Sequence, residues 1–464
     1  MGSVPPRPPP SKSVITRRPC PEQLSWLKKS ALPPHHPRPI ENVMKDAQDI
    51  FSYGFNVGHS RFFSCVPSPA SKVSWLGDAM TSAFNPFGGS LEAGTGVCTV
   101  ESSLIEWIAQ RFGLPTSAGG HFVSGASMAT LTAIIVARDQ ILGECEARRS
   151  KGIAYISDQT HFSVRKALRI IGIPLGNVRV IPSDAGFRMN PDKLSETILE
   201  DIRDGRRPFL VVGTCGTTGS GAIDPLYEIG KTTRLHNIWL HVDAAYGGSV
   251  AFSSTHCSLV SGLSNADSIA WDAHKWLFQT HGCGAVVFRD ATTALSSFKT
   301  PTAHFLVDLD KGEDLPDLWN YGIELTRPAR HMRLWFSLQA LGMERIDQMI
   351  SRGFHLSKLA ERELSKLLGW KIISPATMGI VNFRFMPEGE PAPYMDIVNG
   401  RISKDLIDKN IAVILTSRLT GVVSLRMCTI NPETTDEDIK DVVHALDEAA
   451  QLHYTPSGYI RSKL

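Results

Sequence analysis

Six short apolar runs, several rich in β-branched residues, recur through the middle of this chain: Ile153 to Ile156, Val178 to Ile181, Phe209 to Val212, Ile238 to Val242, Ser268 to Trp271 and Ala285 to Phe288. Runs of this length with little polar alternation read as strands buried on both faces. Between most of them lie segments with helical spacing, Ser163 to Ile171, Pro191 to Arg203 and Leu226 to His236. Few folds accept that alternation. It predicts an α/β core with a mostly parallel sheet and right-handed crossovers.

The flanks have a different texture. Upstream, Leu104, Ile105, Ile108 and Phe112 recur at helical spacing around Trp107, and a second amphipathic helix is expected from near Ser127 through Leu131, Ile134, Ile135 and Ala137. Beyond Arg327, residues 330–368 read as one or two long helices with Leu334, Leu338 and Leu341 on one face. Strands are then expected at Gly379 to Phe385, Ile411 to Leu415 and Val422 to Cys428, flanking a helix over 391–409, with a last helix from Asp436 to Leu452. That pattern predicts a small α+β C-terminal domain. At the other end, 11 of the 29 prolines fall within residues 1–40, a density that favours an extended or disordered lead.

Composition excludes several function classes. With 48 Lys plus Arg against 46 Asp plus Glu the formal net charge is +2, too small for the basic field of a nucleic-acid binder. The 8 cysteines are dispersed without a Cys-x-x-Cys, which fits reduced thiols better than a disulfide framework or a zinc site, so no metal is expected. No apolar run approaches the roughly 18 residues of a membrane span. The N-terminal stretch lacks an apolar signal core, and Pro6 stands where a myristoylation motif needs Ser or Thr. A cytoplasmic protein without membrane attachment is the expectation.

In an open parallel sheet the strand C-termini converge on the ligand crevice. Four strand ends here carry unusual polar residues: Ser157-Asp-Gln-Thr-His161, Gly213-Thr-Cys-Gly-Thr-Thr-Gly219, His241-Val-Asp243-Ala-Ala-Tyr-Gly-Gly248 and Asp272-Ala-His-Lys275. Asp243 ends an apolar strand, where an unpaired carboxylate is costly; it either caps the next turn or meets a ligand. Lys275, beside Trp276 and Leu277, either snorkels to the surface or is held as a reactive amine. Taken together, the pair points to pyridoxal phosphate, which needs a nucleophilic lysine and an acid opposite its pyridine nitrogen. The Gly120-to-Thr130 segment places a Gly/Ser turn before a helix, where free amides and the helix dipole meet an anion or where Ser127 is merely a cap. His161, between strand and helix, is either a structural histidine or a ring that stacks on the pyridine.

The four motifs Ser-Gly-Ala-Ser-Met-Ala-Thr, Ser-Asp-Gln-Thr-His-Phe-Ser-Val, His-Val-Asp-Ala-Ala-Tyr-Gly-Gly and Asp-Ala-His-Lys-Trp together resemble the group II pyridoxal-phosphate-dependent amino-acid decarboxylases. Members act on aromatic amino acids, glutamate, cysteine sulfinate or diaminobutyrate. The resemblance runs in order from about residue 56 to 455. It implies the fold-type I architecture, with a seven-stranded, mostly parallel sheet covered by helices on both faces. The implied layout is a Pro-rich lead over 1–40, a dimerisation segment over 41–98, a cofactor domain over 99–330 and a small domain over 331–464. Lys275 takes the role of the Schiff-base lysine, Asp243 that of the pyridinium partner, and His161 stacks on the ring and assists protonation at the substrate carbon. Ala126, Ser127 and His274 hold the phosphate, with Thr217 and Asp272 nearby, and Ala245 packs on the opposite ring face. Thr326 matches a loop that reaches the phosphate of the other subunit, which implies an obligate homodimer with its active sites at the interface. Arg426 matches the arginine near the substrate carboxylate. The implied reaction releases carbon dioxide from an L-amino acid and leaves the amine.

Two departures from the family pattern stand out. Members carry a tyrosine on a loop after the lysine, thought to protonate the substrate carbon, whereas here Lys299-Thr-Pro-Thr-Ala-His-Phe-Leu306 has none. Phe305, or His304 after a one-residue shift, takes its place. Phenylalanine there accompanies oxidative decarboxylation and deamination in members called aldehyde synthases; His304 as proton donor would keep the amine as product. The second departure is at His59-Ser-Arg-Phe-Phe-Ser-Cys-Val-Pro-Ser68, where Cys65 and Val66 stand at substrate-pocket positions that are aromatic in the aromatic-amino-acid enzymes.

Rival readings account for less. An iron(II) triad of His241, Asp243 and His281 leaves Lys275 and His161 unexplained and belongs to jelly rolls. The Gly230-Lys-Thr232 triplet lacks the first glycine of a P-loop, since Pro225 stands there. A silent homologue acting as a scaffold predicts loss of the lysine or the aspartate, and both are present.

Overall fold

The computed structural model describes residues 14–66, 69–299, 317–419 and 421–456. The chain forms two compact units, Met1–Pro67 with Leu356–Pro375 and Asn382–Leu464, and Ser68–His355 with Ala376–Val381, each as far as its residues are described.

The larger unit is built on seven strands: β1 (Gly119–Val123), β2 (Gly152–Ser157), β3 (Val178–Ile181), β4 (Arg207–Thr214), β5 (Trp239–Asp243), β6 (Ser268–Asp272) and β7 (Gly284–Phe288). Their order is β1-β7-β6-β5-β4-β2-β3. Neighbours from β6 through β3 pair in parallel, while β7 is antiparallel to both β6 and β1. The six predicted runs are all strands, each within a few residues of its expected bounds. β1 is the addition: its Gly119-Gly120 start and short apolar content hide it among turn signals. Because β7 runs backwards, the C-termini of the other six strands share one edge.

The helix predicted from Ser127 is α2 (Ala126–Leu142), and it is not amphipathic. Ala129, Ala133 and Ala137, one turn apart, are fully buried, and so are Ile134 and Val136. It lies on the sheet and is covered by α3 (Phe162–Ile170) and the helix Ala291–Phe298, so only Ser127 and Gln140, near its two ends, are exposed. The small side chains let its axis approach the sheet while Phe209, Val212 and Val286 fill the gaps. α1 (Thr95–Arg111) buries Ile105, Ile108 and Ala109 as its spacing predicts.

Met332–Leu364 is helical with a break at Gly342, whose φ of 69° no helix contains, so the long stretch is two helices in series. A four-stranded sheet, which apart from Ala376–Val381 belongs to the smaller unit, includes Ile380–Phe385 and Val422–Cys428, with Trp370–Thr377 and Thr416–Leu419 as strands the apolar pattern did not signal. Ile411 to Leu415, expected as a strand, forms only an isolated bridge from Val413 to Phe62. The run is apolar because Ala412, Val413 and Ile414 are buried, which periodicity alone does not separate from a strand. Within the proline-rich stretch, Pro21–Ser30 is a helix. Pro21 is its first residue, where a missing N–H costs nothing, and no proline falls between Pro21 and Pro33.

Candidate active site

At the shared C-terminal edge of the large sheet lies a cavity of about 390 Å³, walled by the residues that follow β1, β2, β4, β5 and β6. Asp243 is the last residue of β5, in register with Thr214, the last of β4. Asp272 ends β6 opposite Gly284 at the start of β7. Each side chain is thus placed by strand pairing, which fixes it more tightly than a loop does.

Asp272 organises one side of the cavity. Its Oδ1 accepts the N–H of Ala126, the first residue of α2, at 2.7 Å, and its Oδ2 lies 3.2 Å from Lys275 Nζ. The carboxylate is almost fully buried and the lysine a quarter exposed, so the pair keeps the amine aimed from within the protein. A Cβ on Gly284 would fall 2.6 Å from that same Oδ1 and 2.6 Å from the Gly125 Cα. Only glycine lets the carboxylate and the turn before α2 come together there. His274 Nδ1 stands 3.2 Å from the Cys283 carbonyl; burial first, and Lys275 and His281 next, lower its pKa against the pull of Asp272.

On the other side, Asp243 is buried and its Oδ1 accepts the Ala245 N–H at 3.1 Å. His161 caps α3: its Nδ1 is 2.8 Å from Ser163 Oγ and accepts the Ser163 N–H at 3.3 Å. Desolvation lowers the His161 pKa, Lys275 adds to the fall, and Asp243 and Asp272 oppose it. Burial thus favours the neutral ring.

Ala126, Ser127, His161, Asp243, Ala245, Asp272, His274 and Lys275 all line this one cavity. Thr217 does not: it is fully buried, with Oγ1 2.9 Å from Ser220 Oγ, because the chain turns at Gly216 with φ +87°. Its neighbours Thr214 and Thr218 face the cavity instead. Thr326 is exposed, next to the buried Arg327. Cys65 and Arg426 belong to the smaller unit, where Arg426 Nη1 donates to the Cys65 carbonyl; Val66 follows in the same segment. His304 and Phe305 lie outside the described residues. Gln159, Ser163, Thr214, Thr218 and Tyr246 are wall residues that sequence reasoning missed. The signal for Thr214 was its place at the end of an apolar run; Tyr246 is buried and stacks on Trp276 at 4.9 Å.

A second buried cluster stands behind β1. Arg327 Nη2 donates to Glu101 Oε1 at 2.5 Å and to the Phe122 carbonyl at 2.9 Å, Arg327 Nη1 donates to the Gly88 carbonyl, and Glu101 Oε1 accepts the Phe122 N–H at 2.7 Å. His331 Nδ1 lies 3.1 Å from the other Glu101 oxygen. Burial alone would raise the Glu101 pKa, but Arg327, then His331, outweigh it and hold the carboxylate ionised.

The cavity fits pyridoxal phosphate by its donor set. It offers an amine, a buried carboxylate across from it, a ring, and a helix N-terminus with a histidine for a phosphate. Thr214 Oγ1 is buried on the wall without a hydrogen-bond partner among the described residues, as a group awaiting a polar ligand atom would be.

The family described as "Pyridoxal-dependent decarboxylase conserved domain" matches residues 21–386. An aromatic-L-amino-acid decarboxylase of Bacillus atrophaeus is 33% identical over 88% of this chain and 85% of its own length. A phenylacetaldehyde synthase of Arabidopsis thaliana is 27% identical over 90% and 87%. Among solved structures, Catharanthus roseus tryptophan decarboxylase in complex with L-tryptophan superposes with a TM-score of 0.87 at 25% identity, covering 95% of this chain and 94% of that one. Strand order, cavity chemistry and these similarities agree, and the chain belongs to the pyridoxal-dependent decarboxylase family of enzymes, with pyridoxal phosphate as its cofactor.

Proposed function

We propose that this enzyme removes the carboxylate of an L-amino acid as carbon dioxide and releases the amine, with Lys275 as the residue that takes the cofactor. The observation that carries the assignment of residues is the convergence of Lys275, Asp243, His161 and the start of α2 on one cavity. When bound, pyridoxal phosphate supplies a carbonyl that condenses with amines and a protonated pyridine that stores the electron pair left by carbon dioxide. Asp243, held by the Ala245 N–H, keeps a proton on a pyridine nitrogen. The first turn of α2 and His274 hold the phosphate. His161 and Ala245, both on the cavity wall, would be the residues that hold the ring. Lys275, whose Nζ Asp272 holds at 3.2 Å, would be the residue that binds the cofactor's carbonyl. Thr217 braces the turn between Thr214 and Ala222, and the family resemblance assigns substrate contacts to Arg426, Cys65 and Val66.

A homodimer in the cytoplasm, with Thr326 serving the partner's phosphate, completes the proposal. Two helices support association. Ile40–Ser52 buries none of its residues in the single chain, and Lys72–Phe84 exposes Trp75, Leu76, Met80 and Phe84. Contiguous apolar faces of that kind mark contact surfaces. Among the described residues no helix is long and apolar enough to cross a membrane. Sedimentation is expected to give twice the mass of one chain, and Trp75→Asp to shift the population toward monomer; a monomeric, fully active wild type would sink the dimer.

The test of the reaction is an amino-acid panel followed for carbon dioxide, amine and oxygen. Stoichiometric amine without oxygen uptake is the expected result; no carbon dioxide from any substrate, with cofactor bound, would overturn it. The absence of tyrosine from Lys299–Leu306 favours one second reading. In it, amino acid, oxygen and water yield aldehyde, carbon dioxide, ammonia and hydrogen peroxide, and equimolar peroxide and aldehyde would identify it.

A further inference from the structure

His161 is both a wall of the cavity and the N-cap of α3, and the second role constrains the first. An N-cap side chain acts by accepting a hydrogen bond from an orphan amide of the first turn, and His161 does so. Here the acceptor is the ring atom Nδ1 and the donor the Ser163 N–H, a group that has no lone pair to offer in return. Nδ1 carries a lone pair in that bond, and the buried Ser163 hydroxyl, 2.8 Å away, is placed to donate to the same atom. In a neutral imidazole with Nδ1 bare, the proton sits on Nε2.

We infer that Ser163 is a positioning residue that, with the first turn of α3, holds His161 as the neutral Nε2–H tautomer, a fixed hydrogen-bond donor and not a Brønsted acid. This rests on the proposed function and deepens it, because it names what His161 can deliver. The groups facing the ring divide: Asp243 and Asp272 favour a second proton, while Lys275 and the positive end of α3 oppose it. Burial decides the balance towards the neutral ring. The consequence concerns the proton returned to the substrate carbon. His161 orients and shields the reacting centre, and that proton comes from another group.

The test uses the full-length, cofactor-loaded enzyme labelled with ¹⁵N-histidine, with the His161 signals assigned by their loss in His161→Gln. Expected are a protonated Nε2 and a bare Nδ1 in the wild type. Ser163→Ala keeps the 3.3 Å amide donor and loses only the closer hydroxyl contact, so it is expected to admit a measurable fraction of the Nδ1–H form and to lower kcat about fivefold with little change in KM, the scale of one hydrogen bond. Ser163→Thr, which keeps the hydroxyl, restores both. A protonated Nδ1 in the wild type overturns the inference, and so does an unchanged ring spectrum in Ser163→Ala, whatever its activity. Failure of the proposed function is read separately, as absence of carbon dioxide release, and leaves the tautomer measurable.

Discussion

Lys275→Ala loses the visible absorption of the cofactor-loaded enzyme and turns over at least about 10³-fold more slowly, because no other side chain can substitute for a covalent nucleophile. The expectation follows from position: among the described residues Lys275 is the only lysine on the cavity wall, and Asp272 holds its Nζ at 3.2 Å. Borohydride treatment of the wild type followed by peptide mapping should fix the cofactor on the peptide containing Lys275. Label on a different lysine, or retained turnover in the variant, would remove Lys275 from its role and leave the family assignment standing.

The largest expected effect on stability lies behind the cavity. Arg327→Ala leaves the Glu101 carboxylate fully buried without its main partner and frees the Phe122 and Gly88 carbonyls. Breaking one side of such a pair costs about 3–5 kcal/mol, whereas removing both charges costs much less. Glu101→Gln combined with Arg327→Met should therefore recover most of the loss in urea unfolding. Additive losses in the double variant would show that the two residues do not act as a pair. The cluster matters beyond stability because Phe122 lies on the open edge of the sheet, two residues before the cavity wall at Ser124. Glu101 and Arg327 occupy its outward N–H and carbonyl as a neighbouring strand would.

Neither partner of that pair could be found by pattern. Glu101 sits in an amphipathic helix, where a charge reads as a solvent-facing residue, and its arginine is 226 positions away. β1 was hidden for a related reason. A short edge strand beginning Gly119-Gly120 carries little hydrophobic signal, and its pairing with β7 is known only once both are folded. The error over α2 has the opposite origin. Its alanines and threonines look like the polar side of a surface helix, yet they are the small residues that let a helix lie flat on a sheet and beneath two others.

Chain order and residue type by themselves determined the α/β class, the six strands, and the placing of Asp243 and Asp272 at strand ends with Lys275 just beyond, because apolar runs and convergence of strand termini are local or topological consequences of pattern. Five of the six are buried as expected, while Val178–Ile181, at the sheet edge, leaves Val180 exposed. The tertiary structure alone decided which of those residues share a wall. It turned Thr217 inward and Thr214 toward the cavity, gave Asp272 to both α2 and Lys275, and made a histidine cap its own helix. Those outcomes depend on distances of a few ångströms between segments far apart in sequence, set by strand register and by the space a glycine leaves, and no periodicity carries them.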